Sequence, residues 1–228
     1  ADRAYSLERD VDLLLSIFPF EQAWYARKTP KLPVKFVGHP MLDRYGQDAF
    51  RSSIRHPSTS ITQPREVLLL PGSRTGELRR HLPVMLEAAR IIAAKTPVIF
   101  KLILPNEALA NMARPQLAAL PKASLQVGGL ASALKTADLA LASSGTVTLE
   151  CAFFGVPSVV LYKLSWPTYW IAKRIVQVPY IAMPNLLANE RLLPELIQAD
   201  ATAENLAREA LELLTNAQRR AEVQAKLA

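Results

Sequence analysis

The chain has 228 residues, of which half are hydrophobic and 21% are charged, so it can bury a sizeable core in one large or two small domains, and wholesale disorder is excluded. A single cysteine, Cys151, excludes an internal disulfide. The net charge of +7 favours anionic partners, such as phosphates, nucleic acid or an acidic lipid surface, without selecting one of them.

Short apolar runs alternate along the chain with longer amphipathic segments, which is the pattern of a parallel β-sheet with helices on both faces. Strands are predicted at 12–18, 34–38, 67–70, 99–104, 124–127, 139–142 and 158–162. Helices are predicted at 21–28, 107–120, 130–136, 146–154 and 202–227. Because proline breaks a helix, we expect Pro115 to divide the segment 107–120, and Pro83 to begin the main helix after strand 67–70. The predicted fold is a Rossmann-like α/β fold.

A polar stretch divides the chain into two parts. Residues 43–64 are mostly polar and contain Pro57-Ser58-Thr59-Ser60 and Pro64, which are typical of a linker or surface crossing. We therefore predict a first segment at 1–63 and an independent domain at 64–228. No apolar run approaches the roughly 20 residues that cross a bilayer, so we expect a soluble protein or one attached to a membrane only at its surface.

The turn after strand 67–70 is a candidate phosphate site. It contains Gly72, Ser73 and Arg74, and ligands of parallel α/β sheets sit beyond the carboxyl ends of the strands. Gly72 lets the backbone approach a ligand, the following helix N-terminus favours an anion, and Arg74 adds a charge-assisted contact. An ordinary strand–helix turn with a solvated arginine is the alternative.

The turn after strand 139–142 repeats this device. Ser144, Gly145 and Thr146 open a helix that carries Glu150 one turn further on. A carboxylate among apolar neighbours needs a partner, and a ribose diol would donate two hydrogen bonds to it. The alternatives are a helix cap for the hydroxyl residues and a surface glutamate stabilised by the helix dipole.

Several blocks of the sequence, in this order, resemble the lipid-A-disaccharide synthases. They are 17–21 (IFPFE), 36–43 (FVGHPMLD), 70–74 (LPGSR), 144–150 (SGTVTLE), 155–157 (GVP), 184–187 (PNLL) and 194–198 (PELIQ). The resemblance implies a GT-B glycosyltransferase with two Rossmann-like domains facing a cleft, of which this chain is the C-terminal half. It also implies inverting transfer of diacylglucosamine from UDP to diacylglucosamine 1-phosphate, forming lipid A disaccharide 1-phosphate and UDP.

The same resemblance assigns donor-binding residues by position. They are Gly72, Ser73, Arg74, Ser144, Gly145, Thr146, Glu150, Asn185 and Gln198. The first three would hold the diphosphate, the next three would form the second anion-binding terminus, Glu150 would hold the ribose, and the last two would line the donor pocket. No metal and no cofactor are expected.

The resemblance further implies that this chain is a fragment. The family's N-terminal domain, which supplies the acceptor contacts and the catalytic base, is largely absent before Ala1, and the final helices are absent after Ala228. His39 is the one candidate base within the chain, with a structural bond in a tight turn as its alternative. We expect a fragment that binds the donor but transfers little by itself. The implied partners are the UDP-sugar, the acylated acceptor and the inner face of the cytoplasmic membrane, with self-association into a homodimer left open and no nucleic acid.

Other residues receive structural interpretations. His56 and His81 lie in polar surroundings and are assigned to the surface, whereas Cys151 lies among apolar residues and is assigned to the core. The segment 162–180 combines aromatic with basic residues, which suits either a lipid headgroup boundary or a helix with its aromatic side chains in the core. These residues are Trp166, Tyr169, Trp170, Tyr180, Lys163, Lys173 and Arg174.

Two other functions remain open from the residues alone. One is a UDP-N-acetylglucosamine 2-epimerase of the same architecture, although we identify no convincing acid–base pair for it. The other is a non-catalytic module that binds anions or nucleic acid through its basic surplus. Its basic residues are scattered, and no aromatic–basic stacking motif is apparent.

Overall fold

The computed structural model describes residues 2–45, 64–164 and 179–227. The chain divides into two compact units, Ala1–Arg51 and Ser52–Ala228. Residues 46–63, which include the string Pro57–Ser60 and His56, all lie outside the described ranges, so the domain division predicted at Pro64 stays a prediction. The aromatic and basic residues of 165–178, including Trp166, Tyr169, Trp170, Lys173 and Arg174, also lie outside them.

The first unit contains a small parallel sheet with exposed apolar residues on one face. Its elements are α1 (Asp2–Asp10), β1 (Leu14–Ser16), α2 (Pro19–Lys28), β2 (Val34–Phe36) and α3 (Met41–Tyr45). The two strands pair in parallel, with Leu15 beside Lys35, and α2 packs against both strands. Leu13, Leu15 and Ile17 alternate along β1 and its flanks, and all three are exposed.

The second unit is built on a six-stranded parallel sheet in the order β5-β4-β3-β6-β7-β8. The strands are β3 (Arg65–Leu70), β4 (Val98–Leu104), β5 (Ala123–Val127), β6 (Leu139–Ser143), β7 (Ser158–Tyr162) and β8 (Glu195–Ile197). The chain builds three strands outward in one direction from β3 and then three in the other from β6, which is the Rossmann strand order. The predicted α/β fold class is confirmed.

Helices cover the sheet on both faces. They are α4 (Thr75–Ala93), α5 (Glu107–Leu117), α6 (Leu130–Leu134), α7 (Thr146–Phe153), α8 (Met183–Ala188), α9 (Ala203–Thr215) and α10 (Ala217–Leu227). Helices α4 and α9 pack against each other, while α7 packs on β6, β7 and α8. The central strands are buried on both faces, which is why β3 and β6 are continuous apolar runs rather than alternating ones.

Two proline predictions are wrong. Pro83 lies inside one continuous α4 and Pro115 lies inside α5, where each was expected to begin or divide a helix. Proline removes one hydrogen bond from the ladder, at a cost of about 3 kcal/mol. In α4 the buried face on both sides of Pro83, which includes Leu82 and Met85, contributes more than this by burial in the core.

Other boundaries also differ from the predictions. The segment 202–227 forms two helices rather than one, because α9 ends at Thr215 and Asn216, which is not helical, accepts the amide of Arg219 at the start of α10. Helix α8 and strand β8 were not predicted. Within the described residues, no helix is both long and apolar enough to span a bilayer.

Candidate functional site

The strand order brings the two predicted anion-binding turns together. Strands β3 and β6 are neighbours, with Leu70 beside Ala142 at their carboxyl ends. The chain leaves these strands in opposite directions across the sheet, so the loops that follow them flank the topological switch point. This is the position at which open parallel sheets bind ligands.

The loop after β3 is organised around Glu77, a residue that the sequence analysis missed. Its carboxylate oxygen Oε2 accepts the amide of Ser73 at 2.9 Å and that of Arg74 at 3.3 Å. Glu77 therefore fills the anion-binding position at the start of α4 with a side chain of the same helix. The sequence signal that could have predicted this cap is a glutamate at the third helical position, three residues after the N-cap residue Arg74.

The absence of a side chain at Gly72 makes room for the Glu77 cap. Its φ is +118°, and a Cβ added there would collide with the Glu77 carboxylate and lie 2.8 Å from the Glu77 Cβ. A side chain at this position would thus displace the carboxylate that caps α4. The Glu77 side chain fills the space that a Cβ of residue 72 would need, and the predicted contact of Gly72 with a phosphate stays a prediction.

Arg74 is the exposed cation of this loop. Its side chain is 80% exposed and its guanidinium donates to Glu77 Oε1 at 2.9 Å. An exposed ion pair of this kind contributes little to stability. Arg74 can therefore turn toward an anionic ligand without disturbing the fold.

The loop after β6 ends in Gly145, which is the N-cap residue of α7 and has no side chain to cap the helix. Gly145 has a φ of +148° and precedes the first helical residue, Thr146. The Thr148 hydroxyl donates to the Gly145 carbonyl at 2.7 Å, and the Ser144 hydroxyl donates to the Ile181 carbonyl at 2.8 Å. Among the described residues, the carboxylate cap that Glu77 forms on α4 has no counterpart at the start of α7, so this terminus is the better site for a phosphate.

Glu150 lies partly exposed on α7, between buried neighbours. The adjacent Cys151 is fully buried, which confirms its prediction as a core residue, and burial raises its thiol pKa to about 12. Gly155, with a φ of +63°, ends the helix before Pro157, so the Gly-Val-Pro block has a structural explanation in the turn between α7 and β7.

Asn185 is fully buried and its amide is used within the protein. Its Nδ2 donates to the Leu193 carbonyl and to Glu195 Oε1, both at 2.8 Å, and its Oδ1 accepts the Leu193 amide. Glu195 also accepts the amides of Ile181 and Ala182. Because Ile181 bonds Ser144, this network supports the loop at the start of α7. The geometry favours a positioning role for Asn185, and the predicted donor contact stays a prediction.

Gln198 holds the chain where it leaves β7. Its Oε1 accepts the amide of Leu164 at 2.6 Å, its Nε2 donates to the Leu164 carbonyl, and its side chain is almost fully buried. Gln198 also has a φ of +51°, which fixes a tight backbone turn after β8. As with Asn185, these bonds give it a positioning role, and the predicted contact with the donor remains untested.

Two histidines differ in how they fit their predictions. His81 was assigned to the surface, and this is wrong: it is fully buried and hydrogen-bonded on both ring nitrogens. His39 accepts the amide of Met41 through Nδ1 at 3.2 Å, which favours the tight-turn alternative over the candidate base. This bond engages Nδ1 as an acceptor, and a role of His39 as a base stays a prediction.

Across the three described ranges, no three His, Cys, Asp or Glu side chains come together in a group that could hold a metal ion. The fold and the loops place the candidate site at the switch point of a Rossmann-like domain. The part of the chain that the structure describes contributes the helix N-terminus at Gly145–Thr146 and the exposed Arg74 to it. These are the features of a domain that binds a phosphorylated ligand.

Comparison with known proteins identifies the family. The model of the lipid-A-disaccharide synthetase family matches residues 1–227, and the chain belongs to this family. A lipid-A-disaccharide synthase of Pseudomonas savastanoi is 37% identical over 95% of this chain and 57% of its own length. One of Solibacter usitatus is 36% identical over 99% of this chain and 58% of its own length. The chain thus spans little more than half of these relatives.

Solved structures share the fold. MurG of Acinetobacter baumannii has a TM-score of 0.56 at 18% identity, over 98% of this chain and 57% of its own. A provisionally named UDP-N-acetylglucosamine 2-epimerase of Listeria monocytogenes has a TM-score of 0.60 at 20% identity, over 96% of this chain and 55% of its own. At these identities the likeness extends to the fold alone.

Proposed function

We propose that this chain is the donor-binding half of a lipid-A-disaccharide synthase. It would bind UDP-diacylglucosamine, from which the sugar passes to diacylglucosamine 1-phosphate. The supporting observation is the pairing of an uncapped helix N-terminus at Gly145–Thr146 with the exposed Arg74 at the switch point, in a chain of this family. Family membership also weighs against the epimerase and the non-catalytic module.

The proposed chemistry assigns the leaving group to this chain. The acceptor hydroxyl oxygen attacks the anomeric carbon of the donor, the bond from that carbon to the UDP oxygen breaks, and UDP takes the electron pair. Negative charge grows on the diphosphate as this bond breaks, and the α7 N-terminus and Arg74 would stabilise it. The proton of the acceptor hydroxyl passes to a base, which we place in the part of the relatives that this chain does not cover.

The ribose and the acyl chains complete the proposal. Glu150 would accept the ribose hydroxyls from its position one turn into α7. Because both substrates would carry acyl chains, we place the enzyme on the inner face of the cytoplasmic membrane, attached at its surface. Liposome flotation with and without acidic lipid tests this attachment.

Calorimetric titration with UDP tests donor binding directly. We expect binding without added metal and no gain with Mg²⁺. Arg74→Ala and Glu150→Ala should each weaken binding about tenfold, since each removes a charge-assisted contact. Arg90→Ala is the matched control, because it removes an arginine from the far end of the same helix and should leave the affinity unchanged.

Thermal unfolding separates binding from folding. Arg74 is exposed, so its removal should leave the melting temperature unchanged. If a folded chain bound UDP equally well with and without Arg74 and Glu150, the proposed site would be wrong. Conversion of UDP-N-acetylglucosamine to its 2-epimer would instead favour the epimerase.

A further inference from the structure

The buried His81 connects the carboxyl ends of β3 and β7, two strands that are not adjacent in the sheet. It lies in the second turn of α4, and its ring bonds the Pro71 carbonyl after β3 and the Lys163 amide after β7. Strand β6 lies between β3 and β7, so the imidazole spans the strand whose loop opens α7. We infer that His81 is a positioning residue that fixes the Pro71–Arg74 loop relative to the end of β7, and thereby the crevice for the donor diphosphate.

The bonding pattern fixes the tautomer of the ring. A backbone amide can only donate, so Nε2, which lies 3.1 Å from the Lys163 nitrogen, is the acceptor. The proton of the neutral ring is then on Nδ1, which donates to the Pro71 oxygen at 2.8 Å. Protonation of Nε2 would set two N–H groups against each other and break the connection to Lys163.

The two bonded residues are next to the proposed site. Pro71 directly precedes Gly72, Ser73 and Arg74, while Leu164, which directly follows Lys163, is held by Gln198. Loss of either His81 bond frees one side of the crevice while leaving the sheet hydrogen bonds in place. The ligand in this inference, the donor diphosphate, rests on the proposed function, whereas the connection of Pro71 to Lys163 through His81 does not depend on it.

The surroundings keep the ring neutral. Burial lowers the pKa of His81 from 6.5, with the nearby Arg80 acting in the same direction, while the bond to the Pro71 carbonyl and the charge of Glu77 oppose this. Lys163 contributes its backbone amide, and the Tyr162 ring lies 6.4 Å away. The neutral form and its connection are therefore complete above pH 6.5 and are lost as the pH falls through the lowered pKa.

Nuclear magnetic resonance of the whole chain tests the connection without a ligand. Long-range ¹H–¹⁵N spectra should place the neutral His81 in the Nδ1–H tautomer, with a pKa below 6.5. His81→Leu leaves both backbone groups without a partner and should speed amide exchange at Lys163, Ser73 and Arg74. His81→Gln supplies one donor and one acceptor and should restore protection. An Nε2–H tautomer, or unchanged exchange in His81→Leu, would overturn the inference.

Titration with UDP tests the consequence for the site. His81→Leu should weaken binding about tenfold, as expected for a lost buried hydrogen bond, and His81→Gln should retain most of the affinity. The ratio of native to His81→Gln affinity should fall as the pH drops, because glutamine does not titrate and the ionisation of UDP cancels in the ratio. An equal pH dependence in the two proteins would contradict the inference. If the native chain did not bind UDP, the proposed function would fail, whereas the tautomer and the amide exchange would still decide the connection.

Discussion

Cys151 lies on the buried side of α7, where its thiol has no access to solvent. Burial raises its pKa to about 12, so almost no thiolate forms at neutral pH, and the thiolate is the reactive species. We predict that the native chain does not react with Ellman's reagent and that one thiol per chain reacts after denaturation in urea. Rapid labelling of a folded chain, as judged by circular dichroism, would show that α7 opens locally and would contradict the prediction.

The burial of a single residue was predictable where its neighbours in the sequence indicated it. The apolar neighbours of Cys151 predicted its burial correctly, whereas the polar neighbours of His81 gave a wrong prediction. The helical period contains the better signal, because His81 lies three residues after Leu78 and four before Met85, both of which are buried. The two bonds of His81 could not be predicted, since they depend on Pro71 and Lys163 meeting in space.

At the scale of the element, α4 begins with a carboxylate, that of Glu77, next to the proposed diphosphate site. Glu77→Gln keeps an oxygen that can accept the amides of Ser73 and Arg74, but it removes a negative charge and releases the Arg74 guanidinium. We predict that UDP binding becomes about threefold tighter, as expected for the loss of one screened like-charge contact. Calorimetry measures this effect.

Glu77→Ala provides the control for this prediction. It also removes the charge, but it loses the cap and should lower the stability of the domain by about 1 kcal/mol in urea unfolding. Glu77→Gln should be close to the native stability. Weaker UDP binding by Glu77→Gln would mean that the ion pair is needed to orient Arg74, contrary to the proposal.

Helices and strands were predicted well where the pattern of apolar residues agreed with the glycine and proline residues that mark turns. Strand β7 was predicted at its observed bounds, and the other strands of the second unit that were predicted differ at their ends by up to two residues. The rule that proline breaks a helix failed at Pro83, because such a local rule does not include the packing of the long apolar face of α4. Strand β8 is three residues long and was missed, since so short a segment has no measurable period.

At the scale of the whole molecule, the alternation of strands and helices predicted a parallel sheet but not the order of its strands. The order determines the site, because only the adjacency of β3 and β6 brings the two loops to one crevice. Asn185 and Glu195 belong to two separate blocks of the sequence, and only the structure shows that their side chains are hydrogen-bonded to each other. Sequence similarity identified these blocks, whereas the structure shows which of their side chains are buried and hydrogen-bonded within the protein.

The first unit presents an apolar face that predicts self-association of this chain. Leu13, Leu15, Ile17 and Val37 are all at least 36% exposed, and parallel sheets are ordinarily covered on both faces. We predict a sedimentation coefficient that rises with protein concentration. Leu15→Glu should suppress this rise, because the new carboxylate lies beside Lys35 in the strand register and keeps the face hydrated.

Leu187→Glu, an equally drastic change at a 40% exposed residue of the second unit, is the control and should leave the association unchanged. Equal suppression by both variants would indicate a general effect of charge, and association that persists in Leu15→Glu would place the contact on another surface.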